Sequence, residues 1–109
     1  MLTPKEIRAK RNLFSETDKN MAAAFKVFSD VNRYRIFRIL ADKPKISITN
    51  IAKILNISLS LVSQHVKILV HANILQKERS GKNVFPKIEF SNPFVRAVAK
   101  TIQLTLNIR

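Results

Sequence analysis

The sequence predicts a mainly α-helical domain carrying one small β-hairpin, and three observations lead there. Helix-start signals, a Ser, Thr or Asn ahead of an apolar periodic run, recur along the chain. The only glycine, Gly81, sits inside ILQKERSGKNVFPKIEF, where two strand-like arms flank Ser80, Gly81 and Lys82. Between Lys43 and Lys77 there are five lysines and no acid, and this stretch encloses SITNIAKIL, then NIS, then LSLVSQHVKILVHANIL. That pattern reads as two helices joined by a tight turn. The second has small hydroxyl and amide side chains in its first turns and apolar ones opposite, as a helix entering a DNA groove requires.

Composition narrows the partner. Twenty Lys and Arg against seven Asp and Glu leave a net charge of +13, which favours a polyanion. Apolar runs fall short of the roughly 18 residues needed to span a bilayer, and MLTPKEIRAKRNLF mixes charge into its start, so a cytoplasmic protein without a membrane partner is expected. With zero cysteines there is no disulfide, thiolate nucleophile or thiolate metal site. A chain of 109 residues fits one domain and gains from a partner subunit, so a homodimer is expected.

The expected divisions are N-terminal helices over 1–31, a tri-helical core over 32–73, a β-wing over 74–90 and a C-terminal dimerisation helix over 92–109. Thr3, Pro4 and Glu6 make a capping box with proline at the first helical position, opening a short basic helix from about Pro4 to Asn12 with a surface or arm role. Ser15 and Asp18 open a second helix, whose stripe of Met21, Ala24, Phe25 and Phe28 should be core. Asn32 caps RYRIFRILA, which buries Ile36, Phe37, Ile39 and Leu40 and leaves Arg35 and Arg38 outside. Ser47 or Thr49 caps a short helix burying Ile51, Ala52, Ile54 and Leu55, and Asn56 ends it.

Ser58 caps the next helix, on which Val62, Val66 and Leu69 face the core while Ser60, Ser63, Gln64 and Lys67 lie opposite. Asn73 ends it in the left-handed conformation that asparagine tolerates. Pro86, lacking an N–H, makes the second hairpin arm an edge or ends its pairing. Asn92 and Pro93 start a last helix whose stripe of Val95, Val98, Ile102 and Leu106 a monomer could not easily cover, which assigns it to the dimer interface. The strict alternation of Ile102, Leu104, Leu106 and Ile108 is also a strand signature, so 102–108 stays open, with helix favoured.

Gln64 is the best base-edge reader, because its amide presents a donor and an acceptor together and pairs bidentately with adenine. Ser60 and Ser63 bond bases or phosphates. Thr49, Lys53, Lys67, Arg79 and Lys82 are assigned to phosphates, where charge dominates. His65 reads as a ring at the border of core and groove, and His71 as a surface residue suited to a helix C-terminus. Six residues apart, they cannot share a metal within a helix.

The strings FKVFSDVNRYRIFRIL and SLSLVSQHVKILVHANILQKERSGKNVF, in this order of elements, resemble the arsenic-repressor-like (ArsR) winged-helix family over about Phe25 to Ile88. The resemblance implies a dimeric repressor whose first and last helices build the interface. It also implies base contacts from Leu59, Ser60, Ser63 and Gln64. Leu59 departs from the glutamine common in the family, and an apolar side chain there packs only on a thymine methyl. Members that sense soft metals use cysteines before the turn, where this chain reads ISITNIA. Others use His and carboxylates on the last helix, yet 92–109 contains no His, Asp or Glu. Neither metal site is expected, nor any other cofactor.

Scattered acids and no Ser-His-Asp constellation speak against an enzyme. The expected partner is double-stranded DNA carrying an inverted repeat, bound by a homodimer. The alternative is a winged-helix module that binds DNA without sequence preference, RNA or a protein partner. RNA would favour exposed aromatics, for which Phe14, Phe85 and Phe94 are the candidates.

Overall fold

The computed structural model describes residues 1–106, apart from the Leu106 side chain. Its elements run α1 (Pro4–Arg11), α2 (Thr17–Val27), α3 (Val31–Asp42), α4 (Ile48–Leu55), α5 (Leu59–His71), β1 (Leu75–Ser80), β2 (Asn83–Ile88) and α6 (Pro93–Leu106). This is a winged helix-turn-helix: α3, α4 and α5 form the tri-helical centre, and the β1–β2 hairpin is the wing.

The centre is built on side chains removed from water. α3 gives Ile36, Phe37 and Leu40, α4 gives Ile51 and Ala52, and α5 gives Val62, Val66 and Leu69. Ile74, Leu75 and Ile88 close the cluster from the wing, and Val95 and Ile102 close it from α6. Burying each large aliphatic side chain favours folding by about 1.5–3 kcal/mol. Phe28, just beyond α2, packs edge-on against Phe37 with centroids 5.1 Å apart.

The wing pairs antiparallel from Leu75↔Ile88 to Ser80↔Asn83, leaving Gly81 and Lys82 as a two-residue tip. Gly81 takes φ +60°, a conformation that suits the short hairpin turn and carries no Cβ penalty in glycine. Pro86 sits opposite Lys77, and pairing continues past it to Ile88. With two strands in the sheet, both are edges, so the edge expected for Pro86 is found. Among the described residues no single helix is long and apolar enough to cross a membrane.

Four expectations need correction. Asp30, not Asn32, caps α3: its carboxylate accepts the Asn32 and Arg33 N–H groups at 2.8 and 3.1 Å, so the helix begins at Val31. Met21 and Phe25 are not core. α2 turns only Ala24 and Val27 partly inward, and Phe25 stays 61% exposed with its ring edge-on to Phe94. Ile54 is 56% exposed; the buried arc of α4 runs from Ile51 through Leu55 to Ala52, and at 100° per residue Ile54 falls about 60° outside it. The terminal stripe is covered further than expected, because Val95 and Ile102 lie in the core of a single protomer and Val98 packs against that core. The favoured helical reading, by contrast, holds through Leu106, where the alternation of Ile102 and Leu104 had left a strand open. The Leu106 side chain and Ile108 lie outside the described residues.

Candidate nucleic-acid interface

The turn between α4 and α5 is made by serine caps and one left-handed asparagine. Ser47 Oγ accepts the Asn50 N–H at 3.2 Å to start α4, which settles the choice between Ser47 and Thr49. α4 stops at Asn56, whose φ of 54° is left-handed and lets the Ile57 N–H reach back to the Ala52 carbonyl. Ser58 Oγ then accepts the Leu61 N–H at 3.0 Å and starts α5. The outcome is a bend of 114° between α4 and α5. Asn73, with φ 62°, repeats the device at the far end of α5 as the Ile74 N–H bonds the Leu69 carbonyl.

This seating turns one side of α5 inward and the other to solvent. Val62, Val66 and Leu69 are buried as expected, while Ser60, Ser63, Gln64 and Lys67 are all exposed. At 100° per residue these four fall within an arc of about 100°. Leu59, 46% exposed, stands at the N-terminal end of the same helix. A short polar face on the first turns of a helix suits hydrogen bonding to base edges. Thr49 and Lys53 are exposed on α4, and Arg79 and Lys82 are exposed at the wing tip. Arg35 is exposed and Arg38 half-buried.

Electrostatics favour an anion across this face. The single acid of the two hairpin strands, Glu78, is ion-paired with Lys87 on the opposite strand. Its carboxyl is held below the ordinary carboxylate range, first by the Lys87 hydrogen bond and then by the Lys87 charge. Lys45, from the linker between α3 and α4, sits with Nζ 5.6 Å from the centroid of the Phe85 ring. That contact ties the wing to the centre, and it makes Phe85 a half-buried support instead of a free stacking surface. Phe94 is likewise half-buried, whereas Phe14 is exposed.

His65 is 7% exposed, and its buried Nδ1 has no hydrogen-bond partner among the described residues. It lies on the core side of α5, which is the border position expected. His71 is exposed on the last turn. The described residues hold no group of three His, Cys, Asp or Glu able to bind a metal ion.

Two supports escaped the sequence. The Lys45–Phe85 contact joins segments far apart in the chain and has no local signal. The Glu78–Lys87 pair follows from the hairpin register, which places Lys87 opposite Gln76 and diagonal to Glu78.

The winged helix-turn-helix DNA-binding family matches residues 29–76 of this chain. The cadmium resistance transcriptional regulatory protein CadC homolog of Staphylococcus aureus is 27% identical over 82 residues, covering 75% of this chain and 68% of that protein. The arsenical resistance operon repressor of Bacillus subtilis is 31% identical over 67 residues, covering 62% of this chain and 64% of that protein. Among solved structures, the homodimeric winged helix-turn-helix DNA-binding domain Mb0332 of Mycobacterium bovis, described as "a possible ArsR-family transcriptional regulator", superposes with a TM-score of 0.70. It is 17% identical, with 86% of this chain and 88% of that chain covered.

Proposed function

We propose that the chain is an ArsR-like winged helix-turn-helix transcriptional regulator that acts as a dimeric repressor binding one inverted-repeat operator in duplex DNA. The observation that carries this reading is the exposed face of α5, where Ser60, Ser63, Gln64 and Lys67 stand clear of the core in a stretch without an acidic residue.

In this reading α5 enters the major groove. Gln64 reads adenine through its amide, Ser60 and Ser63 bond base edges or phosphates, and Leu59 packs on a thymine methyl. Lys53 and Thr49 on α4, Lys67 on α5, and Arg79 and Lys82 on the wing hold phosphates and fix the register. Two copies place their α5 helices about 34 Å apart, in successive major grooves, so the site is an inverted repeat. The Mycobacterium bovis neighbour is homodimeric. In this chain α2 and α6 supply the interface, the half-buried Val98 with the exposed Met21, Phe25 and Leu104 meeting the partner. Val95 and Ile102, which already belong to the protomer core, set the angle of α6 beneath it.

The relatives are named for cadmium and arsenical resistance. A thiolate site for such metals does not fit this chain, which has no cysteine. The proposed repressor works without one.

The test is selection of genomic fragments by the purified protein at 150 mM salt against random duplex competitor. We expect an enriched inverted repeat that Gln64→Ala relaxes at one position per half-site, with a loss of about 1–3 kcal/mol on the preferred base. Binding that is uniform across sequences and indifferent to Gln64→Ala would overturn the reading.

A further inference from the structure

α1 packs on nothing. It has no buried residue, and every residue from 1 to 23 is exposed. The Cα radius of gyration is 17.5 Å and the long axis 61 Å, whereas a compact chain of this length has a radius near 13 Å. The segment is an arm projecting from the domain.

Its chemistry is cationic throughout. α1 carries Lys5, Arg8, Lys10 and Arg11. Its one acid, Glu6, is committed to the capping box, where Oε1 accepts the Thr3 N–H at 2.9 Å while Thr3 Oγ1 accepts the Glu6 N–H at 3.1 Å. None of the four cations forms an ion pair with a described residue. Lys5, Arg8 and Arg11 recur every third residue, so like charges neighbour one another along one ridge and oppose the helix. An isolated helix shorter than about 12–15 residues is marginal in water, and α1 has eight. A partner that neutralises the ridge relieves both costs.

The root of the arm lies beside the interface already described. Thr17, the first residue of α2, lines one groove together with Lys67 and His71 of α5. From there residues 12–16 span at most about 17 Å extended, and α1 adds about 12 Å at 1.5 Å per residue. In the structure this linker is turned, the Leu13 and Phe14 N–H groups bonding the Lys10 and Arg11 carbonyls; opened out, it is long enough for the cations to meet phosphates that flank a duplex held by α5.

We propose that α1 is a second DNA-binding element, an arm that follows the phosphate backbone beside the groove entered by α5 and lengthens the contact without reading sequence. This rests on the operator-binding reading above. The arm replaces counterions and adds equally to all sequences.

The experiment replaces Lys5, Arg8, Lys10 and Arg11 with glutamine in the full chain, leaving Thr3, Pro4 and Glu6 in place, and measures affinity for operator and random duplex across salt concentrations. One arm phosphate contact per protomer lowers the slope of log affinity against log salt by about 1.8 in a dimer, and all four lower it by about 7. We expect a drop of at least about 2 on both duplexes, with a footprint shortened at both ends. An unchanged slope and footprint overturn the proposal. So does an unchanged slope with a weakened dimer in sedimentation, which assigns the arm to a second copy. If the variant keeps an operator preference that Gln64→Ala relaxes, operator binding stands whatever the arm does. If the native chain binds no duplex, both readings fall.

Discussion

Lys67→Gln removes one exposed cation from the centre of the proposed interface and leaves the core side of α5 untouched. Lys53, Lys67, Arg79 and Lys82 are the four cations assigned to phosphates outside the arm, so a dimer presents eight. Counterion release then sets a slope of log affinity against log salt near −7 from this set, and losing two contacts makes it shallower by about 1.8. Carried from 1 M salt, that difference weakens binding about 30-fold at 150 mM and about 200-fold at 50 mM. Because a phosphate contact carries no sequence information, operator and random duplex should weaken alike. Fluorescence anisotropy over a salt series, with both duplexes, measures the slope and the specificity ratio together. An unchanged slope, or a loss confined to the operator, would refute the phosphate assignment and make Lys67 a base reader.

Two further outcomes concern the scaffold that seats α5. Asp30→Ala should cost about 0.5–2 kcal/mol at neutral pH in urea denaturation. Hydrogen bonding from the Arg33 N–H holds the Asp30 carboxyl below its ordinary value, so its contribution is complete above that value and is lost as pH falls through the lowered one. The gap between variant and native protein should therefore close below about pH 4, and a gap that persists there would show that the carboxylate charge is irrelevant. Asn56→Val, at φ 54°, should lose about 1–2 kcal/mol against Asn56→Gly. Equal urea midpoints for the two variants would remove the left-handed turn from the account of the 114° bend.

Legibility followed the range of the interactions. α4, α5 and the wing tip were readable because their determinants are local: Ser58 and Asn56 are turn chemistry, Gly81 is a hairpin signal, and Val62, Val66 and Leu69 form a periodic stripe. Asn32 belongs to a residue type that caps well, but so does Asp30 two residues before it, which is the one the fold uses. The stripes of α2 and α6 were visible as stripes, but periodicity does not say what covers them. On α2 the protomer leaves Met21 and Phe25 open, while on α6 it takes Val95 and Ile102 for itself. The Lys45–Phe85 contact depends on the folded path of the whole centre, which no window of sequence contains. Of the interface, the sequence identified residues that the fold does leave exposed, and the polarity of α1 already pointed to a surface or arm role; that none of its residues is buried is a property of packing that the structure adds.

The wing has a second consequence, for how copies of the chain avoid one another. Each of its two strands is bonded to a strand on one side only, and the exposed outer row of β1 is the one open to a foreign strand, since Pro86 interrupts that of β2. Lys77, Arg79, Lys82 and Lys87 stud the hairpin and repel an identical wing. The repulsion reaches about 10 Å at 0.1 M salt but only about 3 Å at 1 M. Concentrated salt, which would strip nucleic acid from the proposed interface, thus also lowers the chain's guard against strand-to-strand aggregation, and the charge proposed to hold DNA also opposes self-association in its absence.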